Sequence, residues 1–162
     1  MSNSLRFATI LLAAGSLAVG GAAHAQYNQK IAHNPAACNS GGPAIKVTVN
    51  GIKSSRGTMR VQSYFGTKSD WLVKGRWLSR VETPARAGSM TFCLPVSKAG
   101  TYAVAVRHDV NGNGDTDLRE DGGAMSNNPS INIFNLGKPS YTKTAFPVGS
   151  GVTAISINMR YW

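Results

Sequence analysis

Apolar and polar residues alternate along most of the chain, and this alternation is its dominant pattern. Ile45, Val47 and Val49 are separated by polar residues, as expected of a strand that buries one of its two faces. Met59 and Val61 repeat the pattern after a turn that contains Ser54, Ser55 and Gly57. Because the two strands follow each other across a short turn, the simplest prediction is a hairpin.

Further alternating segments extend the pattern to the C terminus. Their apolar faces are those of Met90, Phe92 and Leu94, of Tyr102, Val104 and Val106, and of Ile155, Ile157, Met159 and Tyr161. Weaker strand signals lie at 77–81, 131–134 and 143–146. Roughly six to eight short strands joined by Gly and Pro turns predict an all-β fold, an antiparallel β-sandwich.

The first 25 residues have the layout of a secretory signal peptide. Arg6 precedes an apolar run of about 13 residues, which leads to a small-residue cleavage site ending at Ala25. The run is shorter than the roughly 20 residues that cross a bilayer, so we prefer cleavage to a retained anchor. We therefore expect export to the periplasm or the extracellular medium, a flexible leader over residues 26–43, and one sandwich domain over residues 44–162.

The chain is strongly basic. Without Arg6, the 17 Lys and Arg become 16 against 7 Asp and Glu, a net charge of about +9. Such a charge permits binding to an anionic polymer of the cell envelope or to a lipid surface, but the cations are scattered and predict no specific nucleic-acid site. The candidate cations for a basic binding face are Lys46, Arg60, Arg76, Arg80 and Arg86.

The two cysteines of the chain, Cys38 and Cys93, would meet an oxidising environment after export. A disulfide between them would close a loop of about 55 residues and contribute on the order of 4 kcal/mol to stability. The alternative is a pair of separate buried thiols. The chain has no Cys-x-x-Cys motif that would indicate redox chemistry.

The stretch RHDVNGNGDTDLRED, residues 107–121, holds five of the chain's seven carboxylates. Its spacing satisfies the calcium-loop pattern D-x-[DN]-x-[DN]-G-x5-E, with Gly114 at the position of the sharp turn. The oxygen-bearing candidate ligands are Asp109, Asn111, Asn113, Asp115, Asp117 and Glu120. Because all of them offer hard oxygens, they favour calcium over zinc or copper.

The residues that flank this acidic loop differ from those of an EF-hand. A strand pattern precedes Asp109, and two glycines after Asp121 exclude an exit helix, so Asp121 competes with Glu120 for the last ligand position. We expect weak calcium affinity, roughly 10⁻⁴ to 10⁻³ M. The alternative is that Lys and Arg neutralise the acids and that the loop is an Asx-turn structure without metal.

His108 adjoins the acidic loop and continues the apolar face of Tyr102, Val104 and Val106. We expect a histidine at the rim of the core that is hydrogen-bonded to loop backbone. A catalytic role for it is disfavoured, because the only other histidine after the signal peptide is His33 in the leader.

The run GTYAVAVRHDVNGNGDTD, followed by Ser-Asn-Asn at residues 126–128, resembles a family of small exported bacterial proteins, the domain of unknown function 2141. The resemblance extends from about residue 44 to residue 160 in the order of its elements. It implies an immunoglobulin-like or transthyretin-like β-sandwich that is exported and has no established activity.

The sequence leads to three functional hypotheses. The leading hypothesis is an exported, non-enzymatic β-sandwich with a calcium-binding loop. The alternative is a basic-surface binding module for anionic envelope components. An enzyme that uses His108 and Asp109 as acid and base is disfavoured, because no nucleophile with a positioned base and no zinc ligand set occurs in the sequence.

Overall fold

A computed structural model describes residues 27–117, 119–131 and 137–161 of the chain. The predicted signal peptide lies outside the described residues, and within them no helix has the length and apolar character needed to cross a membrane. The strands are β1 (Gln29–Ile31), β2 (Ala44–Ile52), β3 (Thr58–Phe65), β4 (Ser79–Pro84), β5 (Gly88–Pro95), β6 (Gly100–Asp109), β7 (Gly122–Met125), β8 (Phe146–Val148), β9 (Val152–Asn158) and β10 (Arg160–Tyr161). A 3₁₀ helix (Pro35–Asn39) and a short α1 (Tyr141–Thr144) complete the described elements.

The strands form two sheets. The large sheet has the order β1-β4-β3-β6-β7-β10, with β8 also paired to β6, and the small sheet has the order β5-β2-β9. The predicted all-β sandwich is confirmed, but both sheets are mixed, because β1 runs parallel to β4 and β2 runs parallel to β9. The strand count exceeds the predicted six to eight because β1, β8 and β10 have only two or three residues each, too few to show alternation.

One apolar cluster lies between the sheets. Its largest fully buried members are Tyr102, Phe92, Ile45, Met59, Leu94 and Ile157. These residues come from both sheets and occupy the alternating apolar positions of the sequence, since successive residues of a strand point to opposite faces. The inner face of the large sheet is therefore the face that carries Met59, Val61, Val104 and Val106.

The outer face of the large sheet, which points away from the small sheet, is partly covered as well. Segments around residues 71–77 and 139–141 lie over it, and they form a second apolar cluster with outward residues of β3, β6 and β7. The buried members are Tyr64, Trp71, Trp77, Ala103, Met125 and Ile131. Trp71 fixes this cover, because its indole N–H donates to the Pro139 carbonyl at 2.8 Å.

The predicted hairpin of the first two strands was wrong. β2 lies in the small sheet between β5 and β9, whereas β3 lies in the large sheet between β4 and β6. The apolar faces of Ile45–Val49 and of Met59–Val61 meet across the sandwich instead of side by side. Alternation identifies which face of a strand is buried. It does not tell whether the next strand pairs beside it in the same sheet or packs against that face from the opposing sheet.

The C-terminal alternating segment also divides between the sheets. β9 ends at Asn158, and the Met159 N–H donates to the Asn50 carbonyl at 2.9 Å as the chain crosses to the large sheet, where β10 pairs with β7. Of the weaker strand signals, the first begins at Ser79 as β4, and the third is a helical turn followed by β8. Residues 132–134 of the second signal lie outside the described residues.

Residues 27–43, predicted to be a leader outside the domain, contribute two elements to the fold. β1 pairs with β4 at the edge of the large sheet, and the 3₁₀ helix carries Cys38. Cys38 forms a disulfide with Cys93 of β5, with the two Cα atoms 5.6 Å apart, which confirms the predicted bridge. The sequence pattern missed β1 because a strand of three residues is too short to alternate.

Side chains occupy both edges of the small sheet. At the β9 edge, Asn128 donates to the Ser156 carbonyl at 3.0 Å and accepts from the Asn158 N–H at 2.8 Å. At the β5 edge, the His33 imidazole lies 2.9 Å from the Thr91 carbonyl oxygen. Main-chain groups that a further strand would pair with are therefore engaged by side chains of the same molecule.

Breaking the disulfide should destabilise the fold without changing it. The Cys38–Cys93 bridge spans 55 residues, and its loss should lower the free energy of unfolding by about 4 kcal/mol on the chain-entropy model. Guanidinium unfolding with and without reductant measures this difference. A Cys38→Ser/Cys93→Ser variant is the control, because its stability should not respond to reductant, and a wild-type protein equally indifferent to reductant would contradict the prediction.

Candidate functional site

The acidic loop connects the end of β6 to the start of β7. Asp109 is the last residue of β6 and Gly122 is the first residue of β7. The two strands pair directly, with His108 opposite Gly122, so the twelve-residue segment between Asp109 and Gly122 folds back on itself at one end of the sandwich. The pairing of β6 with β7 therefore holds the two ends of the loop side by side, at about the 4.5 to 5.5 Å that separates paired residues of antiparallel strands.

The Asp109 carboxylate stabilises the first turn of the loop. One oxygen accepts from the Gly112 N–H at 2.8 Å, and the other accepts from the Gly114 N–H at 2.9 Å. Asp109 is only 5% exposed, so these hydrogen bonds replace the solvation that a buried carboxylate loses. The first predicted calcium ligand is thus engaged with loop backbone.

Arg107 supplies the positive charge beside this carboxylate. Its guanidinium donates to Asp109 Oδ2 at 3.2 Å, to the Gly114 carbonyl at 2.8 Å and to Thr116 Oγ1 at 3.0 Å. Arg107 and Asp109 are two residues apart on β6 and therefore point to the same, outer face. A cation of the protein thus pairs with this buried acid, which is the kind of neutralisation that the metal-independent alternative expects.

Asp121 closes the other end of the loop. Its two oxygens accept from the Val110 N–H and the Asp117 N–H, each at 3.0 Å, and it is 1% exposed. The Asp121 N–H in turn donates to the Asp117 carbonyl at 2.8 Å. The sequence indicated Asp121 as a substitute metal ligand, and the structure uses it to join the two ends of the loop.

The outer half of the acidic loop brings four of the predicted ligands together. Asp117 Oδ2 accepts from the Asn111 side-chain amide at 2.9 Å and from the Asn113 side-chain amide at 2.7 Å. Glu120 Oε2 accepts from the same Asn111 amide at 3.1 Å. These hydrogen bonds lower the pKa of Asp117, first through Asn111 and then through Asn113. Asn111, Asn113, Asp117 and Glu120 are called the outer cluster below.

The outer cluster lies at the surface. Asn111, Asp117 and Glu120 line a shallow depression of about 330 Å³ with Arg119. Among the described residues, no three His, Cys, Asp or Glu side chains converge closely enough to hold a metal ion. Any cation bound here would therefore need the asparagine oxygens as well as the two carboxylates.

His108 belongs to the core and not to the loop surface. It has no exposed area, its Nδ1 lies 2.7 Å from the Tyr161 hydroxyl, and its Nε2 lies 2.8 Å from the Arg56 carbonyl oxygen. The predicted position at the rim of the core is thus confirmed, although the backbone it contacts belongs to the β2–β3 connection. Burial raises the pKa of Tyr161, which also accepts from the Lys53 N–H at 3.0 Å.

Two glycines allow this end of the sandwich to close. A Cβ on Gly57 would overlap the Asp109 carbonyl oxygen, and Gly57 has a φ of +71°. A Cβ on Gly122 would overlap the Tyr161 ring, which lies against β7. The β2–β3 connection and the C-terminal strand therefore pack directly against the base of the acidic loop.

The five predicted surface cations do not form one face. Arg60 and Arg80 lie on the outer face of the large sheet and pair with Glu82, whereas Arg76 pairs with Asp70 at 3.0 Å. Lys46 and Arg86 are exposed elsewhere, on β2 and in the β4–β5 connection. Arg107 was not among the predicted cations, although its position two residues before Asp109 on a strand indicates that the two side chains share a face.

Substituting Gly57 should disturb the base of the acidic loop, although the two are distant in sequence. The Gly57→Ala change should lower the free energy of unfolding by about 2 to 4 kcal/mol, because the added methyl group overlaps loop backbone and the φ is positive. Urea unfolding measures the loss. Gly88→Ala is the matched control: its φ is +94° but nothing lies within 4 Å of the added atom, so a loss of about 1 kcal/mol is expected. Equal losses in the two variants would refute close packing at Gly57.

The comparisons with known proteins identify the family but no activity. The family described as "Uncharacterized protein conserved in bacteria (DUF2141)" matches residues 47–156. No curated protein and no solved structure matches the chain. The matched region runs from β2 to β9, covers more than half of the chain and includes the acidic loop. The chain therefore belongs to this family of uncharacterised bacterial proteins, as its strand-to-loop motif indicated.

Proposed function

We propose that the chain is an exported, non-enzymatic β-sandwich protein whose acidic loop binds calcium weakly through the outer cluster. The observation that carries this proposal is the approach of the Asp117 and Glu120 carboxylates to one amide group, that of Asn111. Two carboxylates and two asparagines at the surface are a donor set that calcium prefers. No nearby Lys or Arg side chain forms an ion pair with Asp117 or Glu120 among the described residues.

A bound calcium ion would take the position beside the Asp117 and Glu120 carboxylates that side-chain amide N–H groups now occupy. The Asn111 and Asn113 nitrogens now face the carboxylates, and their oxygens accept from the N–H groups of Asn113 and Asp115. Rotating each amide would turn its oxygen toward the ion, at the cost of those backbone hydrogen bonds. Losing those hydrogen bonds costs binding energy, and only two carboxylates attract the ion. We therefore expect weak binding, with a dissociation constant of roughly 10⁻⁴ to 10⁻³ M.

Asp109 has a structural role in this proposal. Its oxygens accept from Gly112 and Gly114, and Arg107 provides its counter-charge. The proposed ion therefore lies farther from the sheet than the spacing pattern predicted, near Asp117 instead of Asp109. Asp115 is exposed and takes part in the loop through its backbone, because its N–H donates to Asn113 Oδ1 at 2.8 Å while the Asn113 amide nitrogen faces Asp117.

Two further observations support the broader proposal. His108, the best acid-base candidate, has no exposed area and both of its ring nitrogens are engaged within the protein. This favours a non-enzymatic role, since a general acid or base must reach the reacting group. The Cys38–Cys93 disulfide is of the kind that forms in oxidising compartments, which supports export. The alternative of one basic binding face has less support, because the five candidate cations are dispersed.

Calcium should raise the thermal midpoint of the purified protein. At about 10 mM calcium and a dissociation constant of about 1 mM, binding adds about 1.4 kcal/mol of stability, which corresponds to a few degrees. Melting curves in calcium, in magnesium and in chelator measure the shift. Magnesium should have a smaller effect, because it demands a more rigid octahedral site.

Two charge-matched variants locate the ion. Asp117→Asn should abolish the calcium-dependent shift, whereas Asp115→Asn, which removes one charge from the same loop, should preserve most of it. A midpoint that does not differ between calcium and chelator would overturn the proposal. A calcium shift that survives in Asp117→Asn would overturn the assignment to the outer cluster.

A further inference from the structure

The outer face of the large sheet carries a groove of about 270 Å³ over β3, β6 and β7. Two cross-strand rows run beneath it, because residues paired across strands share a face. The first row is Glu82, Arg60, Arg107 and Gly123, and the second is Arg80, Gln62, Ala105 and Met125. The groove is thus built on the rigid centre of the sheet, where binding residues hold their positions most accurately.

The shape of the groove follows from the sizes of these residues. Ala105 and Gly123 form its floor, and Leu72 and Met125 supply apolar walls. Small residues in the middle of a sheet leave space that larger neighbours enclose. A volume of about 270 Å³ is just below the range of about 300 to 1,000 Å³ that is typical of small-molecule sites, so the groove matches a small organic molecule better than a polymer.

Three cations line the groove. Arg60 and Arg107 are directly opposite each other on β3 and β6, and Lys138 approaches from the segment that precedes α1. Arg60 pairs with Glu82, and Arg107 pairs with Asp109. Lys138 is exposed and forms no ion pair with any residue in the described ranges. Asp121 also lines the groove, but both of its oxygens accept backbone N–H groups.

The guanidinium groups in this part of the sheet repel one another. Burial lowers the pKa of Arg80, and the positive charges of Arg60 and Arg107 lower it further, against the opposing effect of Glu82. Among the described residues, the Nε atoms of Arg80 and Arg107 are buried without a hydrogen-bond partner. Like charges on neighbouring strands destabilise a sheet, and Arg60 and Arg107 are such a pair, so an anion in the groove would add a counter-charge beside both of them.

Leu72 marks the boundary between this groove and a second depression. It has a φ of +54°, which is rare for a bulky residue. The second depression, about 350 Å³, shares Leu72 and Lys138 with the groove and is lined by Trp71 and Tyr141. Strained backbone of this kind concentrates at binding sites, where the surrounding structure maintains it. The cationic groove therefore continues into an aromatic surface.

We propose that this groove binds a small organic anion, with its charged group near Arg60, Arg107 and Lys138 and its apolar part against Ala105, Leu72 and Met125. The proposal goes beyond calcium binding, since the outer cluster lies in the acidic loop and contributes no residue to the groove. The apolar walls favour an organic anion over inorganic phosphate or sulfate, because those ions have no apolar surface to pack against the walls.

The test compares two probes of the same shape in calcium-free buffer. Benzoate and benzamide are titrated into the purified protein, and backbone amide NMR spectra report where each binds. Benzoate should shift the amide signals of Gln62, Ala105 and Met125, and benzamide should bind about tenfold more weakly because it lacks the negative charge. Equal binding of the two probes would overturn the proposal.

Variants separate the groove from general surface attraction. Lys138→Gln should weaken benzoate binding about threefold, and Arg60→Gln should weaken it at least as much. Lys46→Gln on the small sheet removes the same charge far from the groove and should leave binding unchanged. Because Lys138 is exposed, its substitution should not unfold the protein, so the test remains decisive even if Arg60→Gln is unstable. Benzoate shifts spread over exposed cations, or equal weakening by Lys46→Gln, would show non-specific charge attraction and overturn the proposal.

Discussion

Packing between the inner faces of the two sheets is the interaction on which the rest of the structure depends. β6 is central to it, since Tyr102 and Val104 on its inner face are fully buried against the small sheet. Strict alternation then places Ala105 and Arg107 on the opposite face. The same strand therefore supplies the core, the counter-charge of the acidic loop and the floor of the outer groove.

The position of His108 extends this dependence to two segments that are distant from β6 in sequence. His108 is the last inward residue of β6, and it joins the β2–β3 connection through Arg56 to the C-terminal strand through Tyr161. Three segments that are distant in sequence thus converge on one imidazole. Its burial with both nitrogens engaged explains how a polar residue is accommodated at the rim of an apolar core.

Much of this architecture could be predicted from the sequence, and the failures have physical causes. The longer strands were predictable because burial of one face produces alternation, as Ile45–Val49 and Tyr102–Val106 show. The pairing of β2 was not predictable, because alternation specifies a face and leaves the neighbour open. The role of Arg107 was missed because a cation on a strand has the same pattern whether it meets solvent or a carboxylate. Gly57 was predicted as a turn residue, but its contact with the Asp109 carbonyl depends on tertiary packing.

The acidic loop illustrates how a basic protein accommodates a cluster of acids. Asp109 and Asp121 are stabilised mainly by backbone N–H groups, which carry partial charge and require no mobile counter-ion. In the outer cluster, the side-chain amides of Asn111 and Asn113 take the place of these backbone donors. The loop therefore divides into an inner part, whose two carboxylates are buried and hydrogen-bonded to backbone, and an outer part, whose carboxylates lie nearer the surface.

The side chains at the edges of the small sheet affect how one molecule can pair with another copy of itself. A three-stranded sheet with both edges open would accept a strand from a second molecule, and repeated addition would produce fibres. Asn128 and His33 occupy main-chain positions at which such growth would begin. At each edge, these two side chains thus remove main-chain groups that a strand of a second molecule would need for pairing.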